Sequence, residues 1–226
     1  MFKIFVNFKT YLQGSGERAV LLAKILQEVQ DELSSKVEII PIVQTADLFL
    51  VKRVVKIPVW VQHLDFQLQG KFTGWTNLEA VVEAGASGTL LNHSEHQIPP
   101  GEMKQTIFRI RNLKLKIKNF EVMVCCKTLG QIERLAKLKP DYIGYEISEL
   151  IGGEVSITQD NTKAIKHAKE ICGKIALVVG AGIHQSGDLV KARDLGASGV
   201  LISSAVVLAQ KPKEKILELL SLLREG

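Results

Sequence analysis

Ile175-Ala176-Leu177-Val178-Val179 is apolar throughout and stops at Gly180-Ala181-Gly182. A run without polar–apolar alternation suits a strand buried on both faces, as in a parallel sheet. Just before it, Lys163 to Ile171 carries a helical pattern, and the same pairing of helix and strand recurs along the chain. The strand runs are Lys3–Phe8, Val37–Ile42, Val59–His63, Gly88–Asn92, Glu121–Cys125, Tyr142–Tyr145, Ala176–Gly180 and Gly199–Ser203. Between them, Leu22, Leu26, Val29 and Leu33 recur at helical spacing, as do Ile216, Leu219, Leu220 and Leu223. Glu79–Ala86, Met103–Leu113 and Leu129–Leu138 fill the middle. Thr128 reads as an N-cap before Leu129, and Pro140 lies beyond that helix end. Regular alternation implies parallel strands with crossover helices. Eight units in 226 residues predict a closed (β/α)8 barrel, one α/β domain over 1–226, with a doubly wound open sheet as the alternative. Glu83-Ala84-Gly85-Ala86-Ser87-Gly88-Thr89-Leu90-Leu91 resembles Asp194-Leu195-Gly196-Ala197-Ser198-Gly199-Val200-Leu201-Ile202 about half a chain later, which favours the barrel.

With 46% hydrophobic and 23% charged residues, the chain holds enough apolar matter for a core, which excludes disorder as its main state. No apolar run reaches the roughly 18 residues that cross a bilayer. The start, Met1-Phe2-Lys3-Ile4-Phe5-Val6-Asn7-Phe8-Lys9, lacks the pattern of a secretory signal. Three cysteines, Cys125 and Cys126 adjacent, make no disulfide framework. The expectation is a cytoplasmic protein in a reducing compartment. Net charge is +5, and its lysines are mixed with acids, as in Lys211-Pro212-Lys213-Glu214-Lys215. A nucleic-acid binder would concentrate a basic face, so neither nucleic acid nor membrane is an expected partner.

In such a barrel, reactive groups gather at the C-terminal ends of the strands. There stand Asn7 and Lys9 after the first, Asn92-His93-Ser94-Glu95 after the fourth, Glu146 after the sixth, Gly180-Ala181-Gly182 after the seventh, and Ser203-Ser204 after the eighth. Singly, each has an ordinary reading: a surface lysine, a core histidine, a helix cap, a turn. Jointly they offer an amine, an imidazole, a carboxylate and two anion-binding turns on one rim. That set suits proton transfer beside a carbonyl: Glu146 takes a C–H proton, and a neutral His93 donates to the enediolate oxygen. Ser94-Glu95-His96-Gln97 has the form of a capping box, and a helical turn starting there would keep His93 neutral. No histidine pair has metal-ligand spacing with a third ligand, so no metal is expected. The stretch Ile147 to Ser156 exceeds a usual βα connection and carries Leu150-Ile151-Gly152-Gly153, which reads as a lid that excludes water.

Asn7-Phe8-Lys9-Thr10-Tyr11, Gly88-Thr89-Leu90-Leu91-Asn92-His93-Ser94-Glu95, Tyr145-Glu146 with the Leu150–Gly153 segment, and Gly180-Ala181-Gly182-Ile183 together resemble triosephosphate isomerase. The resemblance covers essentially the whole chain, and the compact length resembles the family's archaeal branch. It implies a TIM barrel in which Lys9 is the electrostatic residue, His93 the electrophile and Glu146 the base. The pairing of a glutamate base with a neutral histidine is the known chemistry of that family. It also implies Asn7 at the substrate, Glu95 in support, and phosphate held near Ile151, Gly153, Gly182, Ser203 and Ser204. The implied reaction interconverts dihydroxyacetone phosphate and D-glyceraldehyde 3-phosphate, in glycolysis and gluconeogenesis, with no cofactor. The chain departs from the family pattern at Ile147, where proline is usual, at Ala205, where glycine is usual, and at Trp75 after Thr73-Gly74. Phe66, Phe72 and Trp75 lie on one long connection from Asp65. The resemblance implies that this loop enters a partner subunit, with Thr73 near the neighbour's Lys9, in a homodimer or homotetramer. Competing readings are a Schiff-base aldolase using Lys9 or Lys127, or a barrel that has lost turnover.

Overall fold

A computed structural model describes residues 1–33, 36–114, 120–146 and 162–224. The elements run β1 (Phe2–Asn7), α1 (Glu17–Asp31), β2 (Val37–Val43), α2 (Thr45–Lys52), β3 (Trp60–Val61), α3 (Leu78–Glu83), β4 (Gly88–Leu91), α4 (Pro100–Lys114), β5 (Glu121–Cys126), α5 (Leu129–Ala136), β6 (Tyr142–Glu146), α6 (Thr162–Cys172), β7 (Ala176–Gly180), α7 (Ser186–Asp194), β8 (Gly199–Ile202), a short α8 (Ser204–Val207) and α9 (Pro212–Arg224). Neighbouring strands pair in parallel in sequence order, and β8 returns to β1. The barrel is therefore closed, and the open-sheet alternative falls.

Strand side chains alternate between two cores. Phe5, Ile40, Trp60, Leu90, Met123, Tyr142, Val178 and Leu201 pack together inside the barrel, while Ile4, Val6, Ile39 and their like pack outward against the helices. Phe5, Trp60 and Tyr142 meet edge to face at centroid distances of 4.9, 5.5 and 5.8 Å. Trp60 leans across its strand partner Gly88, where a Cβ would stand 2.2 Å from the indole. Towards the N-terminal ends of the strands, the Lys3 amine lies 3.0 Å from Glu38 and 3.3 Å from Glu121, and the Tyr142 hydroxyl donates to Glu121. Following the inward rows two residues the other way leads from Phe5 to Asn7, from Trp60 to Gln62, from Leu90 to Asn92, from Gly144 to Glu146 and from Leu201 to Ser203. Strand periodicity thus delivers a polar ring to the C-terminal mouth.

Some boundaries differ from the sequence reading. Helix α1 stops at Asp31, before Leu33, and β3 keeps just Trp60–Val61. Thr128 does cap α5, its side chain accepting the Gln131 N–H at 3.2 Å. No helix starts at Ser94: that stretch is a turn closed by His96 N–H to His93 O, and α4 begins at Pro100. Ile98, Pro99 and Pro100 leave no backbone run in which a cap at Ser94 could propagate.

Candidate active site

A cavity of about 220 Å³ opens at the barrel mouth, lined among others by Asn7, Lys9, His93, Glu95, Glu146, Gly182, Ser203 and Ser204. Every described member of the expected site except Thr73 is on that wall. Thr73 is exposed on the 65–75 connection, away from the cavity of its own chain. Ile151, Gly153 and the expected lid, Ile147 to Ser156, lie outside the described residues.

The Lys9 ammonium stands 2.6 Å from Glu95 Oε1 and is itself largely shielded, with its side chain 13% exposed. Its backbone is left-handed, with φ 49°. The Asn7 side chain accepts the Lys9 N–H at 3.0 Å, and the Gln62 side-chain amide donates to the Lys9 carbonyl at 2.9 Å.

His93 Nε2 lies 3.3 Å from Glu146 Oε1, and both residues are buried. The Glu95 N–H donates to His93 Nδ1 at 3.2 Å. That bond makes Nδ1 an acceptor and places the proton of a neutral ring on Nε2, facing the cavity. One backbone N–H therefore takes the role that the sequence reading gave to a helix terminus. Burial works against a charged ring, but the Glu146 hydrogen bond and charge, with Glu95 beyond, outweigh it and raise the His93 pKa above 6.5. The raised value belongs to this arrangement, with the two side chains in direct contact.

Glu146 pairs in register with Gly180, whose missing side chain leaves room for the carboxylate. Burial first, then the negative charge of Glu146, holds the Cys125 thiol well above its ordinary pKa. Among the described residues, Glu146 Oε2 and Ser203 Oγ are buried at the cavity wall without a hydrogen-bond partner. Unsatisfied buried polar atoms of this kind call for a polar ligand or water. On the same wall Ala181 (φ 78°) and Gly182 (φ 61°) form a tight turn after β7, and Ser204 opens α8, whose Val206 and Val207 N–H groups close on Ser203 O while those of Ser204 and Ala205 precede the first helical bond. Among the described residues, no three His, Cys, Asp or Glu are placed to hold a metal ion.

Comparison with known proteins bears on this arrangement directly. The family profile described as "Triosephosphate isomerase" matches residues 2–222. The chain belongs to the triosephosphate isomerase family. It is 34% identical over 222 residues to the triosephosphate isomerase of Methanobrevibacter smithii, covering 96% of this chain and 97% of that one. It is 35% identical to that of Methanothermobacter thermautotrophicus, with 96% and 94% covered. Against that of Methanocaldococcus jannaschii it is 36% identical over 221 residues, with 96% and 98% covered.

Sequence reasoning gave no site role to Tyr11 or Gln62. Tyr11 lines the cavity beside Ala181 and Ala205, and Gln62 fixes the Lys9 backbone. Gln62 carried a usable signal, since it continues the inward row of β3 two residues past Trp60. His96 is exposed and packs its ring against His63 at a centroid distance of 4.3 Å.

Proposed function

We propose that the 226-residue chain acts as one barrel domain that interconverts dihydroxyacetone phosphate and D-glyceraldehyde 3-phosphate, with Glu146, His93 and Lys9 as its catalytic residues. The observation that carries this is the meeting of the three side chains, from the ends of β6, β4 and β1, in one cavity of about 220 Å³. Glu146 removes the proton from the carbon beside the carbonyl. The Nε2–H of His93 donates to the oxygen that gains charge as the enediolate forms. Lys9 adds a fixed positive charge, held in place by Glu95. A substrate oxygen that accepts Nε2–H separates ring from carboxylate and so removes the cause of the raised His93 pKa. Burial then favours the neutral ring that the mechanism needs.

The phosphate is held by backbone N–H groups at Gly182, Ser203 and Ser204, with the Ser203 hydroxyl as a further donor, and on family grounds by Ile151 and Gly153. Asn7 contacts substrate besides fixing Lys9. A Schiff-base aldolase would need a free amine. The Lys9 amine is taken up by Glu95 at 2.6 Å, and Lys127 is not on the cavity wall. The test is a coupled isomerase assay. Glu146→Gln should reduce kcat by about 10²–10⁴-fold, and turnover that survives it refutes the mechanism.

Assembly as a homodimer or homotetramer completes the proposal. Leu68, Phe72 and Trp75, 64%, 47% and 48% exposed, share the connection that carries Thr73, and an apolar loop tip of this kind suits burial in a second copy near its Lys9. A light-scattering mass of 25.0 kDa, that of one chain, would rule this out. The location proposed is cytoplasmic, in keeping with three buried unpaired cysteines, and cell fractionation checks it.

A further inference from the structure

We infer that Gln62 is a positioning residue for catalysis: its side-chain amide holds Lys9 in the left-handed backbone conformation that turns the ammonium back over the cavity. The inference rests on the assignment of Lys9 to the isomerase site and goes beyond it. Lys9 follows directly after β1 and Phe8, at the point where the chain leaves the barrel. An extended continuation would carry a long side chain onwards, out of the mouth. At φ 49° the chain folds back instead, and the Lys9 side chain is 13% exposed with its amine on Glu95. This conformation is disfavoured for any residue with a Cβ. It therefore needs outside support.

Two bonds supply that support, one on each side of the strained α-carbon. The Asn7 carboxamide oxygen accepts the Lys9 N–H at 3.0 Å, a local contact two residues away. The Gln62 amide donates to the Lys9 carbonyl at 2.9 Å from just beyond β3. The Gln62 backbone is itself tied to β2, its N–H donating to Val43 O at 3.2 Å. The tie therefore fixes the Lys9 peptide to the rigid wall of the barrel rather than to its own turn. Gln62 lines an adjoining cavity with Lys9 and His93, not the one that Glu146 lines, and its side-chain amide is spent on the Lys9 carbonyl, so it acts on the reaction through Lys9.

The test is a double-mutant cycle in the isomerase assay. Gln62→Met keeps the length and removes the donor. It should lower kcat/KM about tenfold, the worth of one lost hydrogen bond to a strained group, with little change in Tm. Gln62→Asn, polar but one methylene short of the carbonyl, should lose as much and stands in if Met disturbs folding. In a Lys9→Ala background the same Gln62 changes should cost less than twofold, because the group they position is gone. An equal cost in both backgrounds, or a Gln62 variant with unchanged kcat/KM, overturns the inference. Absence of isomerase activity in the wild-type chain would instead refute the functional assignment, so the two failures are distinguishable.

Discussion

Gly180→Ala isolates how the position of the base depends on its neighbour. The added Cβ would stand 2.8 Å from Glu146 Cγ, 3.3 Å from Oε1 and 3.4 Å from Cδ. Carbon atoms in contact prefer about 3.5–4.0 Å, so the Glu146 side chain must retreat by about 1 Å. Residue 180 lies within β7, so alanine meets no left-handed strain there. The obstacle it meets is a flexible side chain, not backbone. Fewer unfolded conformations favour alanine by about 0.4–1 kcal/mol, which offsets part of the lost contact between Glu146 and His93. Stability should change by about 1 kcal/mol or less, a Tm shift within about 4 °C for a chain of this size. Chemistry is less forgiving, since a displacement of about 1 Å costs up to about 10²-fold. The expected result is a fall in kcat of about 10–100-fold at near-constant Tm, measured in the coupled assay and by thermal denaturation. Gly187→Ala, where a Cβ would meet nothing within 4 Å, is the control and should leave kcat unchanged. A folded Gly180→Ala enzyme with wild-type kcat would show that the carboxylate works from some other position.

Two further predictions concern charge. In Glu146→Gln the His93 ring keeps its burial but loses the carboxylate that raises its pKa, so NMR titration should find that pKa lower than in the wild type; an unmoved value would assign the rise to another group. In the wild-type protein the pairing stabilises the fold fully below about pH 6.5, and its contribution fades as pH rises through the raised value. Arg109 on α4 grips Glu79 at 2.7 and 2.6 Å and donates to the Phe66 and Gln67 carbonyls, anchoring the connection that bears Phe72 and Trp75. Arg109→Met should cost about 1–2 kcal/mol at neutral pH, a figure already reduced for the solvent screening of the part-exposed Glu79. Burial opposes the Glu79 charge, but the Arg109 hydrogen bond outweighs it and lowers the pKa. The tie is therefore intact above about pH 4.5 and is lost as pH falls through the lowered value. The difference between the Arg109→Met and wild-type denaturation curves should shrink at acid pH; a difference that persists there would detach it from Glu79.

Where one physical rule dominated, the sequence was easy to read. Buried parallel strands show as unbroken apolar runs, so β7 was found to the residue, and the strand-end rule led to Asn7, Lys9, His93, Glu95 and Glu146. Helix α2 escaped because exposed Phe49 and Leu50 sit beside buried Leu48 and Val51 and blur the helical stripe. The capping-box reading at Ser94 failed because a cap motif is a local pattern, and the prolines that follow deny it a helix. No helix starts at Ser94 to face His93; its tautomer is set instead by the Glu95 N–H, a backbone group that no side-chain pattern can announce. The part Gln62 plays beside Lys9, and Gly180 beside Glu146, escaped for a related reason. Their effect on Lys9 and Glu146 depends on which residues pair across strands, and register is fixed by closure of the whole barrel.

The left-handed residues extend that point. Among the described residues, four without a glycine's freedom have positive φ: Lys9, Asn92, Lys139 and Ala181. Lys139 follows α5, and its N–H closes on Ala136 O at 2.8 Å, which is how helices commonly stop. It says nothing about a site. Lys9, Asn92 and Ala181 instead follow β1, β4 and β7 at the barrel mouth. Lys9 is gripped from β1 and beyond β3, and the Asn92 side chain donates to Cys125 O at 2.9 Å on β5 and accepts from Ile98 N–H at 3.3 Å. A left-handed residue alone is weak evidence of function. One tied by hydrogen bonds to neighbouring strand ends is stronger, because the disfavoured conformation persists just where the surroundings over-determine it. Closure of the sheet supplies those surroundings, for each strand end has a fixed neighbour on both sides. The catalytic rim is thus a consequence of the same pairing that removes the barrel's edges.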